Sequence, residues 1–250
     1  MKLDLTNSYS PANALALAQA SQLAYREELI IQTACASVYF PDCVFIDRRE
    51  TQCFIASNDS AIILAFRGTE PARLADWMTD ADTLLVPGYG GHVHQGFARA
   101  LEYVWDDITA ALQPLLTPSR QLFITGHSLG AALATLAAAR LAGPCVVYTF
   151  GSPRVGDAAF AQAYDASRTY RYVNNLDVVT RVPSRLMGFT QVGQLRYFDA
   201  SGHLQTDLRF WQKFMDDFPG DVQAFLAGEV VPLEDHFVAN YVARCEQNLT

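Results

Sequence analysis

Basic side chains are the scarce class in this chain: 18 Lys and Arg stand against 26 Asp and Glu in 250 residues, a net charge of −8 at pH 7. That deficit argues against a nucleic-acid partner and against strong attraction to an anionic membrane. No apolar run reaches the length of a membrane span, so no transmembrane segment is expected. Cysteine is sparse and odd in number. Cys35, Cys43, Cys53, Cys145 and Cys245 show no C-x-x-C spacing, and reduced thiols are the simplest reading, with a Cys35–Cys43 bridge left open. The opening Met1-Lys2-Leu3-Asp4-Leu5-Thr6-Asn7 has an early acid and no apolar core, unlike a signal peptide. Together these features predict a cytoplasmic location, with secretion independent of a signal peptide as the alternative. Repeats, low-complexity tracts and Pro/Gly/Ser-rich linkers are also missing, so residues 1–250 are expected to form a single α/β domain.

What the chain does have is apolar and periodic. Half of its residues are hydrophobic and 12% are aromatic, enough for a large core. Pro11 to Tyr25 reads as an amphipathic helix capped by Ser10 with proline at its first position. Thr51 to Ser57 and Ala61 to Arg67 read as strands joined by a turn at Asn58-Asp59-Ser60. Pro87 to Gly91 is a glycine-dense loop, and Gln95 to Leu112 places Phe97, Leu101, Val104, Trp105 and Ile108 at helical spacing. Cys145 to Phe150, Thr169 to Val173 and Gln194 to Phe198 are further strands, the last near an edge, and Glu234 to Glu246 is a terminal helix. Strands alternating with helices predict right-handed crossovers and a mostly parallel central sheet flanked by helices.

The most informative segment is Gly126-His127-Ser128-Leu129-Gly130. With Gly and Ser each at roughly 7% of residues, G-x-S-x-G arises by chance in about one chain in twelve of this length, so the pentapeptide alone is weak. Its context is stronger. Gln121-Leu122-Phe123-Ile124-Thr125 before it reads as a buried strand, and the Ala/Leu-rich run Ala131–Leu141 after it reads as a helix stopped by Gly143-Pro144. Strand, tight turn and helix make a nucleophile elbow, with Ser128 on the turn and the helix N-terminus beside it.

A serine hydroxyl becomes a competent nucleophile when a histidine takes its proton and an acid fixes that histidine's tautomer. In the chain order Ser, acid, His, only His203 and His236 follow Ser128 far enough along. His236, in Leu233-Glu234-Asp235-His236, is preferred. His203 lies in the turn-like Ser201-Gly202-His203 and is the alternative. For the acid, Asp177 stands just past a strand's C-terminal end, where ligands gather in open α/β sheets. Asp199 also ends a strand and is the runner-up, whereas Asp157 and Asp165 read as solvated. His127 points away from its neighbour and is assigned to packing, and His94 to bracing a helix start. His92 precedes the serine, and no histidine has metal-ligand spacing, so neither a metal nor another cofactor is expected.

These motifs resemble those of the class 3 (fungal-type) triacylglycerol lipases of the α/β-hydrolase fold. The matching pieces are Ala65-Phe66-Arg67-Gly68-Thr69, Asp76-Trp77-Met78-Thr79-Asp80, Val93-His94-Gln95-Gly96-Phe97, the elbow, Thr149-Phe150-Gly151-Ser152-Pro153-Arg154-Val155-Gly156, Asn174-Asn175-Leu176-Asp177 with Val182-Pro183, and Asp235-His236 with Tyr241. They occur in the family's order over roughly residues 60–245. The resemblance implies Ser128 as nucleophile, Asp177 as acid, His236 as base, and Thr69 and Leu129 as the oxyanion hole, where donors stabilise charge that develops in the transition state. It implies a lipid or other ester as substrate, with transient contact at a lipid interface. A phospholipase A1, an aryl-ester (feruloyl-type) esterase and a non-catalytic binding protein on the same fold are the alternatives. The segment 72–86 resembles the family's lid and is expected to be a short amphipathic helix.

The two acid candidates separate by substitution. Asp177→Asn is expected to lose several orders of magnitude in ester turnover, because an amide no longer enforces the working tautomer. Asp199→Asn should change it by less than about tenfold. Steady-state rates on one soluble ester compare the two, and reversed effects would reject Asp177.

Overall fold

The computed structural model describes residues 3–6, 8–69, 84–141, 143–205 and 233–249. Its strands are β1 (Asp42–Arg48), β2 (Thr51–Ser57), β3 (Ala61–Phe66), β4 (Leu85–Gly88), β5 (Gly91–His94), β6 (Gln121–His127), β7 (Cys145–Phe150), β8 (Thr169–Asn174), β9 (Gln194–Phe198) and β10 (Leu204–Gln205). The helices are α1 (Pro11–Leu23), α2 (Glu28–Ser37), α3 (Gln95–Leu112), α4 (Leu129–Leu141), α5 (Ala158–Ala163) and α6 (Val238–Gln247). Eight strands join in the order β1-β2-β3-β6-β7-β8-β9-β10, and β4 and β5 form a separate hairpin. The pairings from β3 through β9 are parallel, and the antiparallel ones are confined to the two ends.

The pleat sorts the apolar residues into two layers. Ile62, Leu64, Phe66, Leu122 and Ile124 pack on one face with Phe97, Leu101 and Ile108 of α3 and with the alanines and leucines of α4. Ile63, Ala65, Phe123, Tyr148 and Tyr172 pack on the other with Leu17 of α1, Ile31 of α2 and Tyr241 of α6. Central parallel strands covered on both sides read in sequence as near-continuous apolar runs, as β3 does throughout and β7 does but for Thr149. The expected α/β-hydrolase architecture is therefore present, with β1 and β10 at the sheet edges.

Most expected elements appear within a residue or two of their sequence limits. The Ser10 hydroxyl caps α1 by accepting from the Asn13 N–H at 3.4 Å, with Pro11 next in line. The helix is not amphipathic, however. Ala14, Ala16, Leu17, Ala18, Ala20 and Ser21 are all buried, because small side chains let it lie close on the sheet, where Ser21 Oγ meets Thr125 Oγ1 at 2.9 Å. The expected loop Pro87–Gly91 is instead the turn of the β4–β5 hairpin. Tyr89 (φ 53°) and Gly90 (φ 85°) both take the left-handed conformation that two-residue hairpins require. The expected terminal helix begins as a short 3-10 turn, Glu234–His236, before α6. Of the lid segment, residues 72–83 lie outside the described residues, and Leu85 and Val86 belong to β4.

Parallel strands deliver their C-terminal ends to one edge. Phe66 pairs with Gly126, Gly126 with Thr149, and Phe150 with Tyr172, so the loops after β3, β6, β7 and β8 emerge side by side. At that edge two glycines allow a close approach. A methyl on Gly126 would collide with the Gly130 carbonyl, and one on Gly130 with the Phe66 carbonyl. Gly130→Ala is therefore expected to destabilise the fold by about 3 kcal/mol or more, since backbone atoms must move to admit it. Gly143→Ala, whose new methyl would stand 3.6 Å from the nearest atom, should change stability by less than about 0.5 kcal/mol. Urea unfolding of the two variants beside the parent checks the contrast.

Candidate functional site

The loop edge collects the residues singled out by the sequence. Ser128 follows β6 directly and holds φ at 59°, a left-handed conformation that a serine adopts at a cost of roughly 1–3 kcal/mol. Its N–H donates to the Phe150 carbonyl at 3.0 Å, while its own carbonyl accepts from the Ala131 N–H at 2.9 Å in the first turn of α4. The turn is thus tied to the neighbouring strand on one side and to the helix on the other. Leu129 is the first residue of α4, where a helix leaves its N–H without an intrahelical acceptor.

Asp177 lies in the loop after β8 and is buried. His236 Nδ1 stands 3.0 and 2.9 Å from its two carboxylate oxygens. The Tyr241 hydroxyl donates to Oδ2 at 2.6 Å, and the Val179 N–H to Oδ1 at 3.0 Å. Burial pushes the Asp177 carboxyl up, but the adjacent His236 imidazole, its hydrogen bond and that of Tyr241 together hold it below the usual carboxylate range. An ionised carboxylate only accepts, so Nδ1 of His236 carries a proton and donates it to Asp177.

Two buried atoms here find no hydrogen-bond partner among the described residues: Ser128 Oγ and His236 Nε2. Each such orphan costs on the order of 1–3 kcal/mol. They flank the Phe150–Gly151 step, where Ser128 bonds Phe150 and a methyl on Gly151 would press to 3.0 Å on the His236 ring. Gly68 also borders the serine, since a Cβ built there would stand 3.1 Å from Ser128 Cβ, and half-buried Thr69 comes next in the chain.

The competing candidates stay outside. His203 Nδ1 lies 3.8 Å from Asp199 Oδ1, both in one surface turn, and Asp199 also accepts from the Ser201 and His203 N–H groups. Exposed His92 pairs with Asp157 at 2.9 Å, and Asp157 caps α5. His94 accepts from the Phe97 N–H at 3.4 Å to cap α3.

Tyr241 and Asp235 lacked an assigned role in the sequence reading, and His127 had only a packing one. Tyr241 braces Asp177, and its hydroxyl also accepts from the Asn174 N–H at 3.0 Å. Asp235 clamps the acid's loop, its Oδ2 accepting from Asn175 Nδ2 at 2.9 Å and from the Leu176 N–H at 3.2 Å. His127, assigned to packing, is hydrogen-bonded at both ring nitrogens. Their signal in the sequence was position: His127 precedes Ser128, and Asp235 and Tyr241 belong to the same motif as His236.

A strained serine at a strand–helix elbow, on a mostly parallel sheet with an Asp–His pair beside it, defines the α/β-hydrolase class. Residues 63–187 match the model of the family described as Lipase (class 3), and the chain belongs to that family. It is 36% identical over 171 residues to a secreted mono- and diacylglycerol lipase A of Penicillium cyclopium, covering 64% of this chain and 54% of that protein. A lipase of Rhizomucor miehei is 31% identical over 210 residues, covering 70% and 57%. The chain thus spans about half the length of the curated relatives it matches. A solved structure from a family of fungal lipases with an unusual buried polar cluster superposes with a TM-score of 0.71 at 25% identity, over 93% of this chain and 97% of that one.

The relatives overturn the expected cytoplasmic location, because the Penicillium protein is named a secreted lipase. Free thiols were a poor guide to compartment. Cys53 and Cys245 are sealed in the core, where burial pushes their thiols up, and a buried neutral thiol is inert in either redox medium. Among the described residues no helix is long and apolar enough to cross a membrane, and no cluster of His, Cys, Asp and Glu could hold a metal.

The site also makes a prediction about acid stability. Burial, with the nearby His236 charge, lowers the His127 pKa from 6.5 to about 3. Between those values the unfolded chain binds the proton and the folded one does not, so stability falls as pH drops through this window. One proton difference is worth about 1.4 kcal/mol per pH unit. Unfolding free energies between pH 6.5 and 4 should lose a slope of that size in His127→Gln relative to the parent.

Proposed function

We propose that this protein is a serine carboxylic ester hydrolase acting on lipid esters, with an acylglycerol as the substrate class. One observation carries the reading: His236 Nδ1 is held by both oxygens of buried Asp177, while His236 Nε2 and Ser128 Oγ, also buried, are unpartnered among the described residues. Hydrogen bonds between nucleophile and base commonly tighten only with substrate in place. Membership of the lipase (class 3) family supports the same chemistry.

In this reading Ser128 Oγ attacks the ester carbonyl carbon as His236 Nε2 takes its proton. The carbonyl oxygen becomes an oxyanion, which accepts hydrogen bonds from the N–H of Leu129 at the start of α4 and from Thr69. Asp177 keeps Nδ1 protonated and stabilises the imidazolium. The tetrahedral intermediate collapses, the C–O bond to the alcohol breaks, and His236 gives the leaving oxygen its proton. Water then attacks the acyl-enzyme by the same route and releases the acid and the free serine. Exposed Leu176 and Phe237 adjoin Asp177 and His236 in the chain, and exposed Leu186 and Met187 follow Asp177 by about ten residues. Apolar groups around the catalytic loops suit contact with a lipid surface.

A fluorophosphonate probe tests the nucleophile. It should label Ser128 in the parent and nothing in Ser128→Ala. That variant should keep less than about one per cent of the ester turnover and a melting temperature no lower than the parent's, since it removes a buried hydroxyl that has no partner among the described residues and leaves the backbone turn as it was. Labelling elsewhere, or residual turnover above that level, would overturn the assignment. Initial rates on p-nitrophenyl esters of rising chain length, beside emulsified triglyceride and phospholipid, test the substrate class, and a preference for phospholipid would replace acylglycerol.

A further inference from the structure

His127 is the buried titratable group that the chemistry above leaves unused. Its ring touches two polar atoms. Nε2 lies 2.6 Å from the His236 carbonyl oxygen and Nδ1 lies 2.8 Å from the Tyr25 hydroxyl. A carbonyl can only accept, so Nε2 must carry the proton. Nδ1 is then bare and accepts from the Tyr25 O–H. Neither partner could be exchanged without breaking the other bond, so the pair of contacts fixes a single neutral tautomer.

The location of this chain of bonds gives it meaning. The His127 and His236 rings are 4.5 Å apart, centroid to centroid. The Tyr25 hydroxyl occupies the place where a Cβ on Gly68 would fall, immediately before Thr69. One linkage thereby joins the loop after β3, the elbow and the segment bearing the base. His236 is otherwise oriented from its side chain by Asp177 and from its neighbour Asp235 through Asn174 and Asn175.

We propose that His127 is a positioning residue: as the Nε2–H tautomer locked by Tyr25, it holds the main chain of His236 so that the base keeps its place over the nucleophile. The proposal rests on Ser128, Asp177 and His236 acting as the reading above assigns them. A second, charged histidine at this spot would repel the imidazolium formed in turnover, and the neutral tautomer avoids that. A base displaced by about 1 Å can lose about a hundredfold in rate, while substrate binding, made elsewhere, is untouched.

Three variants separate a tether from mere filling of space. His127→Phe keeps the ring and deletes both hydrogen bonds. His127→Gln keeps an N–H near the Nε2 position, and Tyr25→Phe removes one oxygen. With p-nitrophenyl butyrate as substrate, His127→Phe should lower kcat about 10- to 100-fold with KM within about twofold. His127→Gln should return to within about fivefold of the parent, and Tyr25→Phe should fall by about 3- to 10-fold. A packing role predicts the reverse order, with Phe retaining more activity than Gln, and that result overturns the proposal. If His127→Phe does not fold by circular dichroism, Tyr25→Phe decides, and an unchanged kcat there overturns it. Fluorophosphonate labelling keeps the two readings apart. A parent left unlabelled at Ser128 rejects the triad itself, whereas a labelled parent matched in rate by a folded His127→Phe rejects only the tether.

Discussion

The close crossing of β6 and α4 at the elbow is the constraint on which the rest depends. Ser128 can reach φ 59° only because Gly126 and Gly130 leave room for strand, turn and helix to press together and against β3. The turn's strain, roughly 1–3 kcal/mol, is small beside the burial of β3, β6 and β7, where one fully buried Phe or Leu side chain contributes about 1.5–3 kcal/mol. A sheet covered on both faces can hold one strained residue without yielding. The same crossing places the N-terminus of α4 directly after Ser128, so one local event supplies both the nucleophile and the oxyanion donor of the proposed function.

Polar groups at the loop edge divide by whether they are satisfied. Asp177 has His236, Tyr241 and the Val179 N–H as donors, and together they outweigh the desolvation of a fully buried carboxylate. His127 is satisfied at both nitrogens and stays neutral. Ser128 Oγ and His236 Nε2, both buried, are left without a hydrogen-bond partner among the described residues. For the proposed function, such satisfied neighbours around these two atoms would amount to preorganisation, leaving little to reorganise when charge appears.

Much of the fold was legible because its signals are local. The apolar runs Ala61–Phe66 and Cys145–Phe150, the helical spacing from Gln95 to Leu112, and the Ser10-Pro11 cap each specify an element within a few residues. Other elements carried no such mark. β1, an edge strand largely open to solvent, needs few apolar residues and lacks a clean alternation. α2 starts at Glu28, and Glu27 before it makes no side-chain cap, so nothing in the sequence announces it. The turn at Tyr89-Gly90 hid behind its glycines, which serve a loop and a hairpin equally well. The amphipathic reading of α1 failed because alanine-rich helices are buried by closeness of approach rather than by one greasy stripe.

The sequence by itself determined the elbow, since strand, turn and helix follow one another within about twenty residues and each depends on its own neighbours. It also narrowed the base to two histidines and the acid to a few carboxylates. Only the tertiary structure brings Asp177 to His236 across 59 positions and leaves Asp199 and His203 to pair with each other in a surface turn. The bonds from Tyr241, Asp235, Tyr25 and His127 were decided there as well. A hydrogen bond requires atoms within about 3 Å, and for residues far apart in the chain that distance is set by how the strands align their ends, which no local pattern of residues encodes.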